Sequence, residues 1–197
     1  MLDRGTTSDD DDPPLQKWLA RRGKMSALSL AELESCKNYT FQLGRGPQRC
    51  SDVPSGLTNS ATLLKAEKNS PTKEGLLASA FFASPGDGKG KVRFLTFLHQ
   101  LGDKKAVVKW DTAVTRGMLY IQLPEDPLHE CSRDSLVELL DVAEEFSSRA
   151  IVFFSKKRND MKQLVRTFKF IGFDILPPSC DWIPTSQEYF FMSYEFG

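Results

Sequence analysis

Apolar positions along the chain follow two different spacings after about residue 75. Short apolar runs bounded by turn residues predict seven strands, over residues 76–84, 91–99, 106–110, 117–123, 150–155, 173–176 and 189–196. Two longer segments repeat apolar residues at helical spacing, one from Ser132 to about residue 148 and one from residues 159–160 to Ile171, where Gly172 is a stop signal. This order predicts an α/β domain with a mixed β-sheet, two helices and at least one right-handed crossover.

The first 75 residues have a different composition. They hold three of the 21 aromatic side chains (Trp18, Tyr39 and Phe41), and residues 76–197 hold the other eighteen. A segment so poor in apolar area does not offset an ordering cost of about 1–2 kcal/mol per residue. We therefore expect residues 1–75 to form a largely disordered N-terminal segment with transient helices, and residues 76–197 to form the folded domain.

Composition and charge argue against several classes of protein. Lys+Arg and Asp+Glu number 26 each, so there is no basic surplus to favour nucleic acid. No apolar run reaches the ~18–20 residues that span a bilayer, and the first residues lack the pattern of a signal peptide. The four cysteines lie far apart, which favours reduced thiols over disulfides or a zinc site. We expect a cytoplasmic and nuclear protein without membrane insertion.

The sequence contains no recognisable catalytic motif. His99 falls in a predicted strand and His129 in a polar loop, and neither is spaced with a nucleophile as in known catalytic motifs. Residues 86–90 are rich in glycine but lead into a strand, so they lack the helix N-terminus that binds anions. We predict no catalytic, cofactor-binding or metal-binding residue.

Charges are segregated between the two predicted helices. Glu138, Asp141 and Glu145 follow the i, i+3, i+7 spacing of one helical face, with Glu144 at its margin. Residues 156–169 carry six basic side chains against one acid. Each face is consistent with simple solvation. Close like charges on a helix nevertheless cost a few tenths of a kcal/mol per pair, which a basic partner would remove. The first helix therefore suggests an acidic docking face.

Three segments of the chain resemble the ornithine decarboxylase antizymes. They are SRDSLVELLDVAEEF at residues 132–146, IVFF at residues 151–154 and LVRTFKFIGFD at residues 164–174. The resemblance implies a fold similar to that of the acyl-CoA N-acyltransferases, without their enzymatic activity. It also implies a ribosomal frameshift junction between Ser51 and Asp52.

The function implied by this resemblance is inhibition by sequestration. Family members bind the ornithine decarboxylase monomer, prevent its homodimerisation and promote its ubiquitin-independent degradation by the proteasome, which lowers polyamine synthesis and uptake. The antizyme inhibitor is a further expected partner. The family's partner-binding residues match Arg133, Asp141, Glu144 and Glu145, and no cofactor is implied. Arg133 stands where relatives usually have Lys, and Asp141 where they usually have Glu.

Two other functions compete with this one. An active acyltransferase on the same fold would need a glycine-rich loop around a pyrophosphate, but residues 125–131 before the first helix contain no glycine. A nucleic-acid-binding module would use the basic residues between 156 and 169. Phe168 is required for the core in that helix, which leaves few exposed rings for stacking on bases.

Overall fold

The computed structural model describes residues 13–23, 35–44, 61–68, 92–100, 107–125, 127–128, 132–183 and 188–197. The helices of this part are α1 (Pro13–Gly23), α2 (Ser132–Ala143) and α3 (Met161–Ile171). The strands are β1 (Asn38–Leu43), β2 (Ala61–Glu67), β3 (Arg93–Gln100), β4 (Val107–Thr115), β5 (Met118–Gln122), β6 (Arg149–Ser155), β7 (Asp174–Ile175) and β8 (Tyr189–Glu195).

The eight strands form one mixed sheet in the order β2-β1-β3-β4-β5-β6-β8-β7. β1 pairs with β3 and β5 pairs with β6 in parallel, and the other neighbours are antiparallel. The chain leaves β5, forms α2 and returns as β6 beside β5 in parallel, so this connection is a crossover. The α/β fold with a mixed sheet is confirmed.

All three helices pack against one face of the sheet, where most of the core lies. Ala150, Val152 and Phe154 of β6 point into this core, which also takes in the apolar sides of α1, α2 and α3. Alternate residues of the same strand, Ile151 and Phe153, belong to a smaller cluster on the opposite face. β6 is buried on both faces, as its continuous apolar run predicts.

The second predicted helix is observed almost as expected. α3 buries Leu164 and Phe168 and ends at Gly172, whose φ of 111° is a left-handed conformation that glycine adopts without strain. The Gly172 N–H donates to the carbonyls of Phe168 and Lys169, which closes the last turn. α2 is shorter than predicted, because residues after Ala143 form turns instead of continuing the helix to residue 148.

Three elements before residue 76 belong to the same sheet and core, and the sequence pattern missed them as part of the fold. β1 lies between β2 and β3, and α1 buries Leu15, Trp18 and Leu19. The Trp18 ring lies 4.8 Å from that of Phe41 and 4.7 Å from that of Phe146. A few aromatic residues are thus enough to hold α1 and β1 in the fold, because they pack into a core formed largely by later elements. The sheet crosses the predicted boundary at residue 75. Independent folding of residues 76–197 stays a prediction.

Several predictions fall outside the described residues. These are the strand at residues 76–84, the glycine-rich stretch at residues 86–90, the junction at Ser51 and Asp52, and the loop histidine His129. Among the described helices, none is both long enough and apolar enough to span a bilayer.

Candidate partner-binding site

The helix α2 carries the candidate site on its outer side because its inner side is deeply buried. Leu136, Leu139, Leu140, Val142 and Ala143 lie in the core at helical spacing. The indole Nε1 of Trp110 on β4 donates to the Ser135 hydroxyl over 2.8 Å, which fixes the first turns of α2 on the sheet. The core contacts of α2 and this hydrogen bond therefore fix the backbone that carries the outward side chains.

The three predicted docking acids are exposed and lie close together in sequence, at the C-terminal end of α2. Asp141 belongs to the last helical turn, whereas Glu144 and Glu145 lie in the turns that follow Ala143. Two backbone hydrogen bonds hold these turns against the helix: Glu144 N–H to Leu140 O over 3.0 Å, and Glu145 N–H to Val142 O over 3.3 Å. The acids therefore keep a fixed place although the helix ends before two of them.

The next residue, Phe146, anchors this acidic turn in the core. Its side chain is buried, and its ring packs against Trp18 of α1 at 4.7 Å between centroids. The Phe146 N–H also donates to Ala143 O over 3.1 Å. α1, an element of the N-terminal segment, thus helps to hold Glu144 and Glu145 in place through the contact of Trp18 with Phe146.

Glu138 is not part of the exposed acidic face, in contrast to the expectation from the i, i+3, i+7 spacing. Its side chain is half-buried, and its carboxylate Oε2 lies 3.4 Å from Nε2 of His99 on β3. The packing of α2 on the sheet brings this position close to His99, near the end of β3. His99 is therefore a structural strand histidine beside a carboxylate, and the docking acids are Asp141, Glu144 and Glu145.

Arg133, the predicted basic docking residue, lies at the opposite end of α2. It is exposed, and its guanidinium carbon is 5.0 Å from the centre of the Phe170 ring on α3. Cation–π contacts at exposed sites contribute about 0.5–1 kcal/mol. Eight residues separate Arg133 from Asp141, which is about 12 Å along the helix axis. The structure thus brings the acids together but keeps Arg133 apart from them.

The charges of α2 stand at the ends where the helix itself disfavours them. A helix dipole favours acids near its N-terminus and bases near its C-terminus, by about 0.3–1 kcal/mol each. α2 has the base Arg133 in its first turn beside Asp134, no base in its last turn, and three acids at its C-terminal end. The helix dipole alone therefore does not account for the placement of these charges.

The basic side chains of residues 156–169 do not form one uniform surface. Lys162, Arg166 and Lys169 are exposed on α3, but the guanidinium of Arg158 is almost completely buried. It donates to both carboxylate oxygens of Asp160 at 2.8 Å, to the carbonyl of Glu125 at 2.8 Å and to that of Pro124. These hydrogen bonds from Arg158 lower the pKa of Asp160.

Arg158 occupies the edge of the sheet where the parallel strands β5 and β6 end. It ties the loop after β5 to the loop before α3, and it fills this position with an internal ion pair. In α/β sheets, ligands commonly bind at the carboxyl ends of parallel strands. Within the described residues, no three His, Cys, Asp or Glu side chains are grouped as metal ligands would be.

Two exposed apolar residues at the site were not predicted from the sequence. Phe170 is 77% exposed and Val137 is 41% exposed. A signal for Phe170 does exist, because the apolar stripe of α3 runs through Leu164 and Phe168, and a residue two positions further points to the other side. An aromatic residue at a position expected to be polar marks a candidate contact.

Comparison with known proteins places the chain in a family. The family model for ornithine decarboxylase antizyme matches residues 94–196, more than half of the chain. This protein therefore belongs to the ornithine decarboxylase antizyme family.

Individual relatives match over most of their length. Ornithine decarboxylase antizyme 1 of Xenopus laevis is 33% identical over 180 residues, covering 87% of this chain and 80% of that protein. Ornithine decarboxylase antizyme 2 of Homo sapiens is 29% identical over 178 residues, covering 83% and 86%. The ornithine decarboxylase antizyme of Aedes aegypti is 28% identical over 189 residues, covering 80% and 79%. These matches begin well before residue 94 in a chain of this length, so they include part of the N-terminal segment.

A solved Agrobacterium tumefaciens protein assigned as an acetyltransferase also resembles the chain. The TM-score is 0.36 at 16% identity, covering 55% of this chain and 79% of that one. A likeness of this size supports no conclusion about activity.

Proposed function

We propose that this protein is a non-catalytic inhibitor of ornithine decarboxylase. It binds the decarboxylase monomer through Arg133, Asp141, Glu144 and Glu145 and so prevents the homodimerisation that completes the active sites. It then promotes ubiquitin-independent degradation of the captured subunit by the proteasome, which lowers polyamine synthesis and uptake. The antizyme inhibitor competes for the same surface, and the protein acts in the cytoplasm and the nucleus.

One observation carries the proposal. The charged residues that the family resemblance assigns to the partner are exposed, two on α2 (Arg133 and Asp141) and two in the turns directly after it (Glu144 and Glu145). They stand at helix ends where they oppose the helix dipole. A docking surface explains this arrangement, because a partner of opposite charge turns an unfavourable charge into a favourable contact and speeds association. If these side chains were only solvated, acids near the N-terminus of α2 and bases near its C-terminus would make the helix more stable.

The two competing functions have less support. An acyltransferase would need room for a pyrophosphate beside β5, and the Arg158 side chain there is engaged by Asp160 and by the carbonyls of Pro124 and Glu125. A nucleic-acid-binding module loses Arg158 from its basic surface for the same reason, and Phe168 is buried as expected. Phe170 alone remains as an exposed ring on α3.

The test is a titration of active, dimeric ornithine decarboxylase with the full chain. We expect activity to fall to zero at one chain per decarboxylase subunit, and size-exclusion chromatography to show a heterodimer in place of the homodimer. Adding antizyme inhibitor should restore activity. A decarboxylase that stays dimeric and active in excess protein would contradict the proposal. Degradation is tested separately, by the half-life of the decarboxylase with purified proteasomes in the absence of ubiquitin.

A further inference from the structure

The junction between α2 and α3 carries an apolar feature that the charged docking residues do not explain. Phe170, in the last turn of α3, is the most exposed large apolar side chain in the described part of the chain, at 77%. Leu164 and Phe168 already provide the core contacts of α3, so the fold does not need an aromatic residue at this position. An exposed phenylalanine on an otherwise charged helix face is typical of a contact with another protein.

Phe170 is directly connected to the proposed decarboxylase-binding residues. The guanidinium of Arg133 lies over its ring at 5.0 Å, so the two side chains form one unit that bridges the helices. This contact holds a long side chain near one orientation before the partner arrives. Ordering a side chain in advance lowers the entropy lost on binding.

Val137 extends the apolar area along α2. It follows Arg133 by four residues and precedes Asp141 by four, so the three side chains line one side of the helix. Val137 is also one of the exposed large apolar residues in the part of the chain that the structure describes, at 41%. The outer side of α2 therefore has a basic end, an apolar middle and an acidic end.

We propose that Phe170 and Val137 form the apolar centre of the decarboxylase-binding surface, with Phe170 both contacting the decarboxylase and holding Arg133. The binding surface then spans α2 and α3. This inference rests on the proposed function and commits to ornithine decarboxylase as the occupant, because Arg133 belongs to both parts of the surface. The arrangement matches stable interfaces, in which aromatic and arginine side chains occupy the centre and charges surround them.

The exposed base Arg166 gains a place in the same surface. It precedes Phe170 by four residues on α3 and so lies on the same side of that helix, one turn away. The decarboxylase surface that fits has basic groups opposite Asp141, Glu144 and Glu145, an apolar hollow opposite Phe170, and an acidic group within reach of Arg166.

The experiment measures the dissociation constant of the full chain for purified ornithine decarboxylase, by titrating the loss of decarboxylase activity. The variants are Phe170→Ala, Phe170→Leu, Arg133→Ala and the double variant of Phe170→Ala with Arg133→Ala. Leu64→Ala is the matched control, because Leu64 is an exposed apolar residue on β2 and lies outside this surface. Thermal unfolding of each variant shows that it is folded.

We expect Phe170→Ala to raise the dissociation constant at least tenfold with a melting midpoint within about 2 °C of the unmodified chain. The dissociation constant of Phe170→Leu should lie between those of the unmodified chain and Phe170→Ala, because leucine keeps an apolar contact and loses the cation–π contact. Leu64→Ala should change affinity less than threefold. The double variant should bind more weakly than Arg133→Ala alone. Relative to the unmodified chain, its dissociation constant should rise by less than the product of the two single-variant factors, because the two side chains contact each other.

The outcomes separate this inference from the proposed function. An unmodified chain that does not bind the decarboxylase overturns both. If the unmodified chain binds and Phe170→Ala binds within threefold of it, α3 is outside the interface and this inference alone is overturned. A double variant no weaker than Arg133→Ala would show that Phe170 acts only through Arg133, which overturns the proposed direct contact.

Discussion

α2 and α3 cover the same face of one sheet, yet they carry opposite charges at their C-terminal ends. The C-terminal end of α3 follows the rules of an isolated helix, with Lys169 in its last turn and Gly172 closing it, whereas its first turn holds Lys162 and no acid. α2 has a base near its start and three acids at its end. α2 is also more deeply buried, with seven buried residues against two in α3.

This difference indicates where stability has been given up for function. The extensive burial of α2 allows it to carry charges that its own dipole disfavours, because the core contacts stabilise it far more than the charges destabilise it. Places where a sequence departs from local rules of stability are commonly functional sites. The comparison thus supports the proposal that α2 is the main docking helix, with the end of α3 beside it.

The largest expected effect comes from reversing the three acids of α2 together. Asp141→Lys, Glu144→Lys and Glu145→Lys should raise the dissociation constant for ornithine decarboxylase at least about a thousandfold, because breaking one desolvated charge pair already costs about 2–5 kcal/mol. The melting midpoint should stay or rise. Inhibition titrations and thermal unfolding measure both.

The matched control reverses two exposed acids outside α2, Asp174→Lys and Asp181→Lys, which change the net charge in the same direction. These should leave inhibition nearly unchanged. Full inhibition by the folded triple variant would show that these acids are outside the interface. It would contradict the proposal that the charges at the end of α2 serve partner binding.

The second effect tests the support of the acidic turn by α1. Trp18 lies between Phe41 and Phe146 with no exposed surface. Trp18→Ala should therefore lower the free energy of unfolding by about 3–5 kcal/mol, as for other large aromatic residues removed from a core. Urea denaturation measures the loss, and Lys17→Ala on the exposed side of α1 is the control. Equal stability of the two variants would show that α1 is not docked.

The sequence predicts the later part of the fold well and the earlier part poorly. β6 and α3 have patterns that arise within a few residues, a continuous apolar run and a helical stripe ended by Gly172, so local reasoning finds them. α1 and β1 are stabilised by residues far along the chain, since Trp18 depends on Phe146 and β1 pairs with β3. Such contacts leave no local signal.

The candidate site was predictable in part. The exposure of Asp141 follows from helical spacing, because the buried side of α2 is clear from its apolar residues. Glu144 and Glu145 are exposed as predicted, but in turns after the helix and not on a helical face. The burial of Glu138 beside His99 depends on how α2 lies over the end of β3, and a helical wheel does not contain that information. The contact of Arg133 with Phe170 likewise joins two helices whose relative position only the fold determines.

The third effect tests the well-formed end of α3. Gly172 has a φ of 111°, and a Cβ at this position would lie 3.2 Å from Cε2 of Tyr194. Gly172→Ala should cost about 1–3 kcal/mol of unfolding free energy from backbone strain alone, with some further loss from the contact. Gly44→Ala separates the two causes, because Gly44 has a φ of 122° with nothing within 4 Å of its Cβ position. A smaller loss at Gly172 than at Gly44 would contradict the steric contribution.

The smallest effect tests the charge comparison itself, with one exchange at the end of each helix. Glu144 follows α2 directly and Lys169 lies in the last turn of α3, and both side chains are exposed. Glu144→Lys should stabilise the protein and Lys169→Glu should destabilise it, each by about 0.3–1 kcal/mol, because the C-terminal end of a helix favours positive charge. For a chain of this length, that corresponds to melting shifts of about 1–4 °C in opposite directions. Both shifts should shrink in 1 M salt, where charge interactions are screened within about 3 Å. Glu144→Gln and Lys169→Gln should give about half of each shift. A loss of stability in Glu144→Lys would mean that this acid is favourable to the free fold, and the assignment of α2 as a helix that carries charge for a partner would then rest on binding data alone.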